Sequence, residues 1–326
     1  MGSLRRCGYA IVSGLAIGLL LSSNGCSSKP DNVWPDKPGL KVLTSFPPIQ
    51  CFVMNVAGDD ATVKVLRTSE GAHHESDPAP LHLKLASKCD ALFINGLELD
   101  DKMGNQIRKT CGKLNFNLIR LGDKIDKKLL LEGECHHDHA HHPGEEHDHG
   151  IDPHVWLSPK QAKTMVAAIR DELKRLDPPH AGGYDSRAEA YLAKLEQLEQ
   201  DGLALLKDKK DRKILTHHDA LGYFAQNFGL KIISQIQVGD VEPGSKELTK
   251  IIDLAKKYGV RTIAVEPQFN RNTAAAVIKA ELEKAGIGAV FVEVDTLETA
   301  DEAELTADFY ERKMRQNLEN LAKALQ

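Results

Sequence analysis

Two hydrophobic periods alternate along the chain. Short apolar runs rich in β-formers recur at KVLTSF (41–46), ATVKVLRT (61–68), DALFING (90–96) and NFNLIRLG (115–122). Their length, and the Gly, Pro, Asn and Asp residues around them, predict strands. Between the first two lies PP followed by IQCFVMNVAG, which predicts a turn and then a helix. Over residues 158–177 the period changes. Met165, Val166, Ile169, Leu173 and Leu176 fall at helical spacing behind Ser158, a natural N-cap, and Pro159 at the first helical position. Residues 178–210 continue as a long helical run with Tyr184, Ala188, Tyr191, Leu195 and Leu198 in one stripe.

The alternation then restarts. Strands are predicted at KILTHH (213–218), LKIISQIQVG (230–239), RTIAVE (261–266) and AVFVEVD (289–295). Helices are predicted at DALGYFAQNFG (219–229), KELTKIIDLAKKYG (246–259), NTAAAVIKAELEKAG (272–286) and the closing run 304–326. Strands that alternate with helices imply parallel sheets covered by helices. The expected fold is therefore α/β with two lobes, 41–177 and 211–326, each a parallel sheet flanked by helices and each with its own core. One long helix, 178–210, joins them. Ligands of such folds sit outside the carboxyl ends of the strands.

The amino-terminal segment changes where this fold is placed. Arg5 and Arg6 precede an apolar run from Tyr9 to Leu21 and then SSNGC. This describes a secretory signal over residues 1–26, too short for a comfortable transmembrane helix. Cys26 has the position of a lipoprotein cysteine; cleavage without lipidation is the alternative. Residues 27–40 read as a polar tether. An exported protein is expected, periplasmic or held by a lipid anchor on the outer side of the cytoplasmic membrane. The net charge of −5 is spread over well-mixed acids and bases, which excludes nucleic acid as a natural partner. Cys51, Cys89, Cys111 and Cys135 form no CxxC pair, so a thiolate zinc cluster is not indicated. Export permits disulfides, and Cys89 with Cys111 is one possible pair.

The candidate chemistry is metal binding. Eight of the fourteen histidines lie in CHHDHAHHPGEEHDHGIDPHVW, from Cys135 to Trp156. Residues 133–150 combine seven of them, His136, His137, His139, His141, His142, His147 and His149, with Gly, Pro, Asp and Glu. No large apolar side chain anchors that stretch, so a loop with weak, exchanging metal sites is expected. Other histidines stand at predicted strand ends: His73 and His74 after the second strand, His154 before a helix, His217 and His218 between strand and helix. Asp295 ends the last strand. Three imidazoles with one carboxylate suit Zn²⁺. These positions are far apart in sequence, so any shared site is assembled by the fold. His82 and His180 read as surface residues. His73 and His217 read as neighbours of ligands.

The segments SFPPI (45–49), GAHHESDPAP (71–80), CDALFINGLELD (89–100), DPHVWLSP (152–159), THHDALGYF (216–224), VEPGS (241–245) and VEPQF (265–269) resemble the metal-binding receptors of bacterial ABC importers. DPHVWLSP and HDALGYF are the most specific, and the resemblance to the zinc-binding branch covers nearly the whole mature chain. It implies a metal between the lobes, held by His74 and His154 from the first and His218 and Asp295 from the second, with Glu266 orienting a ligand. His73 is the alternative to His74, because the Gly–His gap is one residue shorter than the family's. The Pro–Leu–Gly that follows the family's acid is absent after Asp295. The resemblance further implies a monomeric, non-enzymatic receptor that hands Zn²⁺ to a permease with its ATPase. A manganese receptor of the same family and a zinc-sequestering or adhesion lipoprotein are the alternatives. Three histidines and a histidine-rich loop favour zinc over manganese. A zinc hydrolase is disfavoured, since neither HExxH nor GxSxG occurs.

Overall fold

A computed structural model describes residues 33–67, 77–133, 150–237, 242–267 and 273–326. Trp34–Gln326 forms one compact unit. The first four strands, β1 (Leu40–Thr44), β2 (Ala61–Val65), β3 (Ala91–Ile94) and β4 (Asn117–Arg120), pair in the order β2-β1-β3-β4. The next four, β5 (Lys213–Thr216), β6 (Lys231–Gln235), β7 (Thr262–Val265) and β8 (Val290–Glu293), repeat that plan as β6-β5-β7-β8. Every strand pairing within both sheets is parallel. Each sheet thus carries its loops at one carboxyl edge, as the alternating periods predict.

The helices are α1 (Pro47–Ala57), α2 (Pro80–Ala86), α3 (Asp101–Thr110), α4 (Pro159–Leu176), α5 (Ala181–Leu206), α6 (Gly222–Phe228), α7 (Ser245–Tyr258), α8 (Ala274–Lys284) and α9 (Phe309–Ala324). Among the described residues no helix is long and apolar enough to cross a membrane. The sequence expectation of a turn at PP is replaced by a helix start. Pro47 and Pro48 occupy the first turn of α1, where a missing N–H costs no intrahelical bond. The start of α4 follows the sequence signal, with Ser158 Oγ accepting the Gln161 N–H. The closing helix begins later than its apolar pattern, because Glu302–Glu304 form a 3-10 turn before it.

The expectation of separate cores is corrected. One apolar cluster runs through both halves, from Val42, Phe52 and Phe93 through Trp156, Tyr184 and Leu195 to Phe224, Val294, Tyr310 and Leu321. The physical cause is a shared helical layer: α5 packs on α1, α4, α6 and α9, and α1 also meets α9. Aromatic contacts close that layer, with Phe52 and Tyr310 edge-on at 4.8 Å between ring centres. Gly202 allows the close approach of α5, since a Cβ there would stand 2.5 Å from Phe228 Cε1 and 2.7 Å from Leu318 Cδ1. A second, smaller core lies wholly in the carboxyl-terminal half, where Leu215 and Ile263 meet Ile251, Ala255, Ile278 and Leu282.

Candidate metal centre

The two most specific sequence segments fold against each other. Asp152 and Pro153 lead into His154, which opens a 3-10 turn (Val155–Leu157) before α4. Trp156 anchors this arch. Its ring is fully buried, stands edge-on to Phe46 at 4.8 Å, and its indole N–H donates to the Thr296 carbonyl at 2.9 Å. The Tyr310 hydroxyl donates to the Trp156 carbonyl at 2.7 Å. His218 leaves the end of β5, and Glu298 follows β8 by a short turn. The carboxyl edge of the second sheet therefore faces the His154 arch.

The structure brings His154, His218 and Glu298 into one group: one ligand atom from each lies within 4.8 Å of the others. The His154 and His218 rings are perpendicular, 5.6 Å apart at their centres. His154 is only 5% exposed. Its Nδ1 meets Asp152 Oδ1 at 2.8 Å, and its backbone N–H donates to the same oxygen at 2.9 Å. That carboxylate holds the proton on Nδ1 and leaves the lone pair on Nε2. Nε2 is buried, has no hydrogen-bond partner among the described residues, and faces Glu298 Oε1 at 3.6 Å. A buried acceptor left in this state is costly for a structural histidine and suits a metal ligand. Beside it a cavity of about 10 Å³ is lined by His217, His218, Leu221, Glu266 and Thr296, among others. This is room for about one water-sized sphere.

His218 has a carboxylate at each ring nitrogen: Asp219 Oδ1 at 3.1 Å from Nε2 and Glu266 Oε1 at 3.8 Å from Nδ1. Glu266 thus lies beside a histidine, at the end of β7. Asp295, expected as the fourth ligand, does not join the group. Its Oδ1 accepts the Leu297 N–H at 2.8 Å and its Oδ2 pairs with Lys313 at 3.1 Å. Its backbone is gripped on both sides by Asn317. The bond from the Leu297 N–H to Asp295 Oδ1 spans a turn in which Leu297, fully buried, adopts φ +64°, a left-handed conformation uncommon for a branched side chain. Asp295 shapes the turn, and Glu298, three residues on, reaches the histidines. Sequence reasoning missed Glu298 because an acid in a loop carries no signal of its direction. His73 and His74, the seven histidines between 136 and 149, Cys135 and Cys26 lie outside the described residues. His82 is half-buried and accepts the Ala79 N–H; His180 is exposed and pairs with Asp177 at 2.7 Å.

Charge acts on His154 in two directions. Burial favours the neutral ring, but the Asp152 hydrogen bond and the charges of Glu298, Asp152 and Asp219 outweigh it, and the pKa is raised. A metal ion bound at Nε2 would compete with that proton, because a histidine ligand must be neutral. A raised metal-free pKa lies above the ordinary value of ~6.5. With His154 as a ligand, apparent Zn²⁺ affinity would be level at higher pH and fall as the pH drops through the raised pKa. Titration against a chelator between about pH 8 and pH 5.5 should show the decline beginning above ~6.5, earlier than an unperturbed histidine gives. A curve still flat at about pH 6 would remove His154 from the ligand set.

These parts, two parallel sheets of identical order with imidazoles and an acid at the strand ends, match a known architecture. Residues 42–324 match the family model of the periplasmic zinc-uptake complex component A, ZnuA. The chain belongs to this family. Within it, the zinc-binding protein AdcA of Streptococcus pyogenes serotype M3 is 32% identical over 294 residues, covering 86% of this chain and 55% of AdcA. The chain thus spans about half the length of that relative. The manganese-binding lipoprotein MntA of Halalkalibacterium halodurans is 26% identical over 78% of this chain and 80% of its own. A crystal structure of ZnuA superimposes with a TM-score of 0.72 at 29% identity, covering 88% of this chain and all of that one. The family is one of metal-binding transport receptors located outside the cytoplasm, and its two-lobed α/β fold is the one found here.

Proposed function

We propose that the protein is an extracytoplasmic zinc receptor that captures Zn²⁺ between its lobes and delivers it to the permease and ATPase of an ABC importer. The observation that carries this reading is the buried Nε2 of His154, which has no hydrogen bond among the described residues and lies with His218 and Glu298 in one group of ligating atoms. Two imidazoles and a carboxylate make three donors of a tetrahedral zinc site, and His74, or His73 beside it, supplies the fourth. Asp152 and Glu266 orient the two described imidazoles. Cys26, once lipidated, keeps the receptor at the outer face of the membrane, and it acts as a monomer.

Metal analysis of the purified protein with Zn²⁺ and Mn²⁺ titrations tests this. One tight Zn²⁺ site per chain is expected, with Mn²⁺ binding weaker; a tight Mn²⁺ site that excludes Zn²⁺ would reverse the assignment of cargo. The manganese-binding relative makes this comparison necessary. The histidine-rich stretch is proposed to gather divalent ions at weak sites. Deleting residues 134–149 should leave the tight site intact and abolish the weaker stoichiometry. Gly133 and Gly150 already meet, with the Gly133 N–H donating to the Gly150 carbonyl at 2.6 Å, so the deletion joins ends that are adjacent. Loss of the tight site on deletion would show that a principal ligand lies in the stretch.

A further inference from the structure

Asp152 holds the tautomer of His154, so whatever fixes Asp152 bears on the metal. The residue lies in a short stem. Glu132 and Ile151 form an antiparallel bridge, the Gly133 N–H meets the Gly150 carbonyl, and the Asp152 N–H donates to the Leu131 carbonyl at 2.9 Å. The stem belongs to the first half of the chain, yet it is fastened to the second. Tyr223, fully buried on α6, donates its O–H to the Asp152 carbonyl at 3.0 Å and accepts the Leu131 N–H at 2.8 Å. The hydroxyl therefore closes a ring that passes through both sides of the stem. Gly222, one residue earlier, has its backbone against the same aspartate: a Cβ there would stand 2.7 Å from Asp152 Oδ2. The helix that follows His218 thus presses on Asp152 from two directions.

We propose that Tyr223 is a positioning residue of the metal site: its hydroxyl pins Asp152, so that the lobe supplying His218 also sets the orientation of His154. This rests on the reading of His154 and His218 as zinc ligands. The consequence concerns release. A shift of α6 relative to the stem pulls on the partner of His154 Nδ1 as well as moving His218, so both imidazoles loosen in one step. Cargo is then held tightly while the lobes are docked and freed when they part, without protonation of either ring.

Zn²⁺ affinity and dissociation rate, measured by chelator competition on the full chain, test the proposal in a double-mutant cycle. Tyr223→Phe keeps the ring and removes both bonds. It should weaken Zn²⁺ binding roughly tenfold, at the lower end of the range for groups that orient ligands, chiefly through faster dissociation. In an Asp152→Ala background the same change should cost little further: Tyr223 still holds the backbone of residue 152, but the carboxylate that carries its effect to His154 Nδ1 is gone. An unchanged affinity in Tyr223→Phe, or an equal loss in both backgrounds, overturns the role. Should Tyr223→Phe fold poorly, Gly222→Ala disturbs the same aspartate at its carboxylate, where a Cβ would stand 2.7 Å from Oδ2, and should show a loss that likewise disappears without the Asp152 side chain. His218→Ala measured alongside separates the two levels. If it binds Zn²⁺ like the parent, the site itself is misassigned. If it loses Zn²⁺ while Tyr223→Phe does not, only the role of Tyr223 fails.

Discussion

His218→Ala lowers Zn²⁺ affinity by more than roughly 100-fold, beyond the 10–100-fold range of changes that merely disturb a ligand's partner. The ring lies 5.6 Å from that of His154 and, with Glu298, completes the only group of three ligating side chains found among the described residues. Alanine removes a nitrogen donor and opens the cleft to water beside Glu266 and Asp219. Isothermal titration with a competing chelator reads the loss, and thermal unfolding of the metal-free protein checks that the fold persists. His180→Ala is the comparison, since that ring is exposed and tied to Asp177; its affinity should match the parent. Equal affinity in His218→Ala and the parent would sink the proposed site.

The second large effect separates two acids that stand three residues apart. Glu298→Gln should weaken Zn²⁺ binding at least tenfold, because an amide oxygen replaces a charged donor beside a dication. Asp295→Asn should change affinity only a few-fold. An asparagine still offers Oδ1 to the Leu297 N–H and so preserves the turn that aims Glu298. What it loses is the partly buried ion pair with Lys313, which shows as reduced stability of about 0–1 kcal/mol. The opposite ranking, a large loss from Asp295→Asn and none from Glu298→Gln, would return the acid to the position expected from the sequence.

Much of this protein is local in origin. The eight strands, their parallel sense and the start of α4 follow from apolar runs, their spacing, and Ser158–Pro159. Such features depend on neighbours within a few residues, so they can be read without a fold. The loops that carry His154 and His218 were legible for the same reason, each within a short segment whose residue types belong ahead of a helix. The single core was not legible. Periodicity identifies which face of α5 is apolar, but Tyr184 to Leu198 could equally have served one lobe; only the packing of α1, α4, α6 and α9 around that helix shows that both share it.

The direction of a side chain is likewise decided in three dimensions. Asp295 and Glu298 are equivalent as letters. The left-handed Leu297, the Lys313 ammonium and Asn317 turn one carboxylate toward structure and leave the other facing His154. The link from α6 through Tyr223 to Asp152 joins residues 71 positions apart, and no spacing rule reaches that far. The sequence by itself determined the architecture and placed His154 and His218 in loops ahead of helices. Tertiary structure decided which acid lies beside these rings and which backbone groups fasten Asp152, because both depend on where helices bring distant groups into hydrogen-bond range.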